Sequence, residues 1–375
     1  MKLIIQVPCY NEEDQLPLTL SRLPRQVPGV DAVEWLIIDD GSSDRTVEVA
    51  REHGVDHIVR LTNNKGLAAA FQAGLDAGLK LGADVIVNTD ADNQYEGSDI
   101  PKLVGPILRG EADMVVGDRQ VETIEHFSGF KKLLQRLGSW VVRHASSTEI
   151  PDTTSGFRAY NREAALQVQA VSKFTYTLET IIQAGRLQVA VDHVPIRTNP
   201  KTRESRLFPS TAAYVRRNAL SIFRVYSQYQ PLKVFWTGAL ICGAAALAIF
   251  IRFLVYFVDN PSTAGRGHIQ SLIAGGVLFN AAMLLGALGV IGDLLDAQRT
   301  LSQRTFERVR RIELQLGVEP SHYERGAAPA SDKTAESAAG AAPASDKTAE
   351  SAAGAPPASN GQTGTDAPGR RALEV

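Results

Sequence analysis

The sequence predicts an α/β fold: a mostly parallel sheet flanked by helices, joined to amphipathic surface helices and a hairpin of two membrane-length helices. Three observations carry this. Short apolar runs alternate with stretches of helical length through roughly the first half of the chain. Polar clusters follow the first, second and fourth of those runs, so all three would gather at one edge of the sheet. Two long apolar runs then occupy 234–258 and 269–291, the first with one charge and the second with none.

At 375 residues the chain has room for about two domains. A net charge of −2 and a pI near 6.4 give no global basic field, which argues against nucleic acid as a partner. Cys9 falls at an expected strand end and Cys242 inside an apolar run, so the two are expected unpaired, as in a reducing compartment. The opening Met1-Lys2-Leu3-Ile4-Ile5-Gln6-Val7 reads as a short strand and lacks the long apolar core of a signal peptide.

Lys2 to Val7 is the first expected strand. The polar turn Pro8-Cys9-Tyr10-Asn11-Glu12-Glu13 follows, and Asp14 caps a helix running to about Leu23. Val33 to Ile38 is the second strand, ending in Asp39-Asp40-Gly41-Ser42-Ser43-Asp44. A helix from about Arg45 to His53 closes on Gly54. His57 to Leu61 is the third strand, and Asn63-Asn64-Lys65-Gly66 starts an Ala-rich helix to about Leu81. Val85 to Thr89 is the fourth strand, Asp99 to Arg109 a helix, Met114 to Gly117 a fifth strand and Val189 to Ile196 a final one.

The fourth strand runs into Asp90-Ala91-Asp92-Asn93-Gln94. Two carboxylates at i and i+2 on a strand end can hold one hard divalent ion, Mg2+ or Mn2+, if a diphosphate supplies further oxygens. Gln94 adds a neutral oxygen. Solvated aspartates in a turn are the plain alternative. No G-x-G-x-x-G follows the first strand and no G-x-x-x-x-G-K-[ST] occurs, so dinucleotide and P-loop chemistry are disfavoured.

Pro8-Cys9-Tyr10-Asn11-Glu12-Glu13, Asp39-Asp40-Gly41-Ser42, Asn64-Lys65-Gly66, Asp90-Ala91-Asp92-Asn93-Gln94 and Thr154-Ser155-Gly156-Phe157-Arg158 stand in the order seen in glycosyltransferase family 2. Over about residues 1–300 the chain resembles that family's polyprenyl-phosphate sugar synthases, which implies a GT-A type sheet. By the resemblance, Pro8, Tyr10, Glu12, Asp40 and Lys65 are donor contacts. Asp39 is either a further contact or a cap of the next helix. Asp90, Asp92 and Gln94 are the metal and diphosphate site. Arg119 meets phosphate, although Asp118 stands where the family more often has serine. Asp152 and Arg158 share a pocket in which Asp152 positions or deprotonates the acceptor; the alternative is an Asp152–Arg158 ion pair that only fixes the loop. Asp152, Asp92 and Arg158 are thus the candidate catalytic residues, and Glu179 falls where relatives place an acid near the sugar. The basic loop with Lys201, Arg203 and Arg206 would receive the acceptor phosphate, with Glu204 and Arg206 departing from the usual Gly and Lys.

The membrane expectation rests on residues alone. Phe127 to Ala145 reads as an amphipathic helix with a basic side, and a second surface helix runs from Pro209 to Tyr229. Each long apolar run is long enough to cross a bilayer core of about 30 Å. Arg216, Arg217, Arg224 and Lys233 precede the first, while Arg299, Arg304, Arg308, Arg310 and Arg311 follow the second. The short connection carries only Arg266, so the positive-inside bias places both long ends in the cytoplasm. Ala328 to Ala341 repeats as Ala342 to Ala355, in a tail too poor in bulky apolar residues to order itself.

The expected organisation is a cytoplasmic catalytic domain over 1–207, a juxtamembrane helix over 208–232 and spans over 233–258 and 269–292 around an external loop, 259–268. A basic amphipathic helix for membrane or homo-oligomer contact over 293–317 and a disordered tail over 318–375 complete it. The expected function is that of a multi-pass, cell-membrane-anchored inverting glycosyltransferase. It would move a sugar, a hexose in the simplest case, from a UDP- or GDP-sugar to a polyprenyl phosphate such as dolichyl or undecaprenyl phosphate. Two rivals remain at this point: a processive polysaccharide synthase, which usually has more spans and an R-W pair absent here, and a non-catalytic membrane scaffold.

Overall fold

The structure is a computed structural model, and it describes residues 1–120, 150–170, 176–200, 223–224, 226–259 and 269–326. The expected amphipathic helix over 127–145, the basic loop of Lys201, Arg203 and Arg206, most of the juxtamembrane helix, the hairpin tip and the repeat tail lie outside those residues.

Eight strands form one sheet: β1 Lys2–Cys9, β2 Ala32–Asp39, β3 His57–Arg60, β4 Val85–Asn88, β5 Met114–Asp118, β6 Arg158–Asn161, β7 Val191–Pro195 and β8 Tyr323–Arg325. Their spatial order is β7-β5-β6-β4-β1-β2-β3-β8. β1 runs parallel to β2 and β4, β2 to β3, and β5 to β7. β6 is antiparallel to both its neighbours, and β8 is antiparallel to β3.

Strands buried on both faces explain the near-continuous apolar runs. Along β1, Leu3, Ile5 and Val7 face one core, with helices α1 (Leu16–Arg22), α2 (Thr46–Glu52) and α4 (Ile100–Leu108) over them. Ile4 faces the other, with α3 (Leu67–Lys80), α5 (Arg162–Gln167) and α6 (Tyr176–Arg186). The period of two puts Gln6 on that second side as a polar intruder; its amide bonds Asn88 at 2.8 Å.

Two further helices, α7 Pro231–Asp259 and α8 Ile269–Gln315, are long and apolar enough to cross a membrane. They pack antiparallel. Gly275 lies against the Phe250 ring and Gly289 against Trp236, each so close that a Cβ would fall within 2.8 and 2.7 Å of the ring. Leu240 and Ile241 are 66% exposed, as side chains facing lipid would be.

Two sequence expectations need correction here. The segment 293–317 was expected to be a separate basic helix for a membrane or homo-oligomer contact. It is instead the continuation of α8, with Arg299, Arg310 and Arg311 docked on the α/β domain and Arg304 and Arg308 exposed. Arg310 is 3% exposed and donates to the carbonyls of Ala165 and Leu166 at the end of α5, at 3.0 and 3.1 Å. Lys80 bridges Asp76 and Glu313 at 3.2 and 3.1 Å, and Arg311 pairs with Glu163. The disordered tail expected from 318 likewise starts too early. Tyr323–Arg325 add β8 to the β3 edge, Tyr323 Oη lies 2.9 Å from His57 Nδ1, and Glu324 pairs with Arg51.

Candidate functional site

The site assembles at the carboxyl edge of β1, β2 and β4, where the parallel strands release their loops. The turn after β1 is laced to the turn after β2. Asn11 N donates to Ser42 Oγ at 2.9 Å, Glu12 N to Thr46 Oγ1 at 2.9 Å, and Ser43 N to Asn11 Oδ1 at 2.8 Å. Asp40 is buried and accepts from the backbone N–H groups of Lys65 and Gly66 at 2.7 and 2.9 Å, which pins the Asn-Lys-Gly turn beside it. Burial nevertheless raises its pKa above the usual carboxylate value, against those two donors. Asp39 is fully buried; Oδ1 accepts from Ser42 N at 2.9 Å and Oδ2 lies 3.4 Å from Arg60 Nε. Both aspartates therefore hold loops together. Pro8 is buried at the strand end, while Tyr10 (45% exposed) and Lys65 face outward from the rim.

Asp90 and Asp92 follow β4. The Asp90 pKa is pushed up to about 7, first by burial, then by the Asp92 charge, with Arg119 and Arg158 pulling the other way and Glu12 adding to the rise. Those five side chains, from four separate stretches, thus share one electrostatic neighbourhood. Gln94 Nε2 donates to Asp92 Oδ2 at 2.6 Å, so the amide orients Asp92. Among the described residues no group of three or more His, Cys, Asp or Glu side chains converges on a point. Two adjacent carboxylates, one already resisting ionisation, are nevertheless a donor set that fits a hard divalent ion completed by ligand oxygens.

The loop from Asp152 to Arg158 forms the other wall. Asp152 pairs with Arg119, not with Arg158: Arg119 Nε to Oδ2 is 2.7 Å and Nη2 to Oδ1 is 3.0 Å, with Nη2 also 2.7 Å from Thr154 Oγ1. Burial works to raise the Asp152 pKa, but the Arg119 bonds and charge outweigh it and hold the carboxyl below its usual range. Arg158 is fully buried on β6, and its donors go to Ser155 O, Thr153 O, Thr177 O and Thr180 Oγ1 at 2.6–2.9 Å. The geometry makes it the tie that shapes the loop, and the Asp152–Arg158 ion pair weighed as the alternative does not form. Glu179, in the first turn of α6, has its carboxylate Oε1 2.6 Å from Arg299 Nη2 of α8.

Sequence reasoning missed the floor of the site. Asn88 Nδ2 donates to Gly156 O at 2.8 Å and to Tyr176 Oη at 3.0 Å, while Tyr95 Oη receives Gly156 N at 2.9 Å. The available signal was polarity out of place: Gln6 and Asn88 interrupt apolar strands on the same face.

The glycosyl transferase family 2 model matches residues 4–168. An undecaprenyl-phosphate mannosyltransferase of Micrococcus luteus is 31% identical over 206 residues, 52% of this chain and 83% of that protein. A polyprenol monophosphomannose synthase of Mycolicibacterium smegmatis is 33% identical over 167 residues, 43% and 62% of the two chains. A dolichol-phosphate mannosyltransferase of Pyrococcus furiosus is 29% identical over 267 residues, 69% and 73%. Among solved structures, glucosyl-3-phosphoglycerate synthase from Mycobacterium tuberculosis, with Mn2+, UDP-glucose and phosphoglyceric acid, aligns over 59% of this chain and 79% of that one, at 21% identity and a TM-score of 0.46. Fold, strand-end acidic pair and relatives together define a sugar transferase with a GT-A type sheet. The chain belongs to glycosyl transferase family 2.

Proposed function

We propose that this chain is a membrane-anchored inverting glycosyltransferase that moves one sugar, a hexose, from a UDP- or GDP-sugar to a polyprenyl phosphate at the cytoplasmic face of the cell membrane. The observation that carries the reading is the union, in one packed unit, of a strand-end acidic site and a helix hairpin of membrane length. A soluble acceptor would not require that union. A lipid phosphate does, because its reactive group never leaves the interface. The named relatives that act on undecaprenyl, polyprenol and dolichol phosphates support the same acceptor class.

The chemistry divides among residues of this chain. Asp90 and Asp92, with Gln94 steering Asp92, would hold Mg2+ or Mn2+, which when bound relieves charge on the leaving diphosphate. Pro8, Tyr10, Glu12, Asp39, Asp40 and Lys65 frame the nucleoside end of the donor. Asp152 is a poor base, because Arg119 keeps it ionised well below neutrality. It presents Arg119 to phosphate in a fixed bidentate geometry. A strong base is not needed, since an acceptor phosphate monoester is already mostly ionised near pH 7. Lys201, Arg203 and Arg206 supply the cations that bring it in line with the anomeric carbon.

The test is to incubate membranes containing the protein with a panel of nucleotide sugars and identify the lipid product by mass. A product equal to polyprenyl phosphate plus one sugar is expected. A growing polymer, or transfer to water-soluble acceptors alone, would overturn the proposal.

A further inference from the structure

Helix α6 belongs to two places at once. Its first turn is part of the site floor. Tyr176 bonds Asn88, stacks on Phe71 with ring centroids 4.0 Å apart, and lies against Gly156. Thr177 O and Thr180 Oγ1 hold Arg158 at 2.8 and 2.6 Å. Its outer side is bonded to α8 through two ion pairs of opposite sense. Glu179 Oε1 meets Arg299 Nη2 at 2.6 Å, and Arg186 Nη1 meets Asp296 Oδ2 at 2.6 Å. Tyr229, 3% exposed, sits between them. Its hydroxyl accepts from Arg299 at 2.8 Å, and its ring lies 4.6 Å from the Arg299 guanidinium and 5.0 Å from that of Arg186.

The partners on α8 are one helical turn apart, and those on α6 are two. Sliding one helix past the other by about a turn would part both pairs together and, depending on direction, bring Glu179 toward Asp296 or Arg186 toward Arg299, like charge against like. Such a contact fixes register and tilt as well as adding attraction. α8 itself is unbroken from Ile269 to Gln315, so the segment that grips α6 is continuous with the one long and apolar enough to cross a bilayer. No hinge separates them.

We propose that Glu179, Arg186, Asp296 and Arg299 are positioning residues: they set the height and tilt of the donor site over the bilayer, so that a membrane-held acceptor phosphate meets the bound donor. The inference rests on the lipid-phosphate reading above. It predicts a specific pattern of loss. Donor binding uses the strand-end loops and is indifferent to the pairs. Encounter with a phosphate confined to the interface depends on them, whereas encounter with a freely diffusing phosphate does not.

The test uses the full chain in lipid nanodiscs, with Arg299→Ala, Asp296→Ala, and Arg186→Asp combined with Asp296→Arg to restore one pair with its signs exchanged. Each is assayed for donor binding by calorimetry, and for transfer to undecaprenyl phosphate in the disc and to a short-chain, water-soluble prenyl phosphate. The single variants are expected to lose about tenfold or more in kcat/KM for the disc-bound lipid, while donor Kd and the short-chain rate stay within about twofold. The exchanged pair should regain most of the loss. Equal losses with both acceptors, weakened donor binding or an unchanged lipid rate would each overturn the proposal. Failure of the wild-type protein to use either acceptor would instead overturn the parent reading.

Discussion

Gly156→Ala is the smallest change that should disable the site. A Cβ there would lie 2.8 Å from Tyr176 Oη and 3.2 Å from both carboxylate oxygens of Asp90. Neither neighbour can retreat freely. The Tyr176 hydroxyl is bonded to Asn88 and its ring is stacked on Phe71, while the Gly156 backbone is held on either side by Asn88 and Tyr95. Overpacking of this kind costs roughly 1–3 kcal/mol. The strain falls on Asp90, so turnover should drop at least about tenfold through displacement of that carboxylate, since misplacement on the order of 1 Å can cost a hundredfold. The assays are a denaturation midpoint and initial rates against donor concentration. Tyr176→Phe on the Gly156→Ala background removes the closer of the clashes, so the cycle of two singles and the double should show positive coupling in stability. Wild-type stability and turnover in Gly156→Ala would refute the geometry of this wall.

Asp90 should make cation binding depend on pH. With its pKa near 7, a cation at pH 6 must displace a proton that at pH 8 is already gone, so Mn2+ affinity should fall about tenfold between pH 8 and pH 6. Calorimetry should find close to one proton released at the lower pH, and equal affinities would contradict the assignment. The raised pKa also means that the cation-free folded state holds a proton the unfolded chain has lost between about pH 4 and 7, so its stability should decline as pH rises through that window. Asp152→Asn should lower kcat by loosening Arg119 yet leave the pH–rate profile near neutrality unshifted; loss of an acidic limb would make Asp152 the base after all. Truncation after Gly326 should leave the melting midpoint unchanged. Truncation after Gly317 removes β8 and bares the β3 edge, and it should lower the midpoint and raise aggregation.

What was legible in the sequence was whatever depends on neighbours along the chain. Apolar runs marked six of the eight strands because burial on both faces writes itself as continuous Val, Ile and Leu, and Asp90-x-Asp92 was visible because it ends such a run. β6 was not legible: Arg-Ala-Tyr-Asn is four residues long and places a charge in the core, tolerable only because four acceptors from the adjoining loop and α6 converge on it. Arg158 was read as facing a substrate for the same reason, since a cation's partners across the fold leave no local mark. The basic run after the second apolar helix showed its charge but not its destination: Glu163, Asp76 and Glu179 lie more than a hundred residues away. β8 is three polar or aromatic residues and has no periodicity to read.

The most direct measurement is transfer by purified protein in nanodiscs carrying undecaprenyl phosphate, with a nucleotide sugar and Mn2+, comparing wild type with Asp92→Asn and with chelated wild type. The account predicts a lipid product one sugar heavier in wild type, nearly abolished in Asp92→Asn and by chelation, with all samples folded. Undiminished product from Asp92→Asn, or from the wild type without divalent cation, would contradict it.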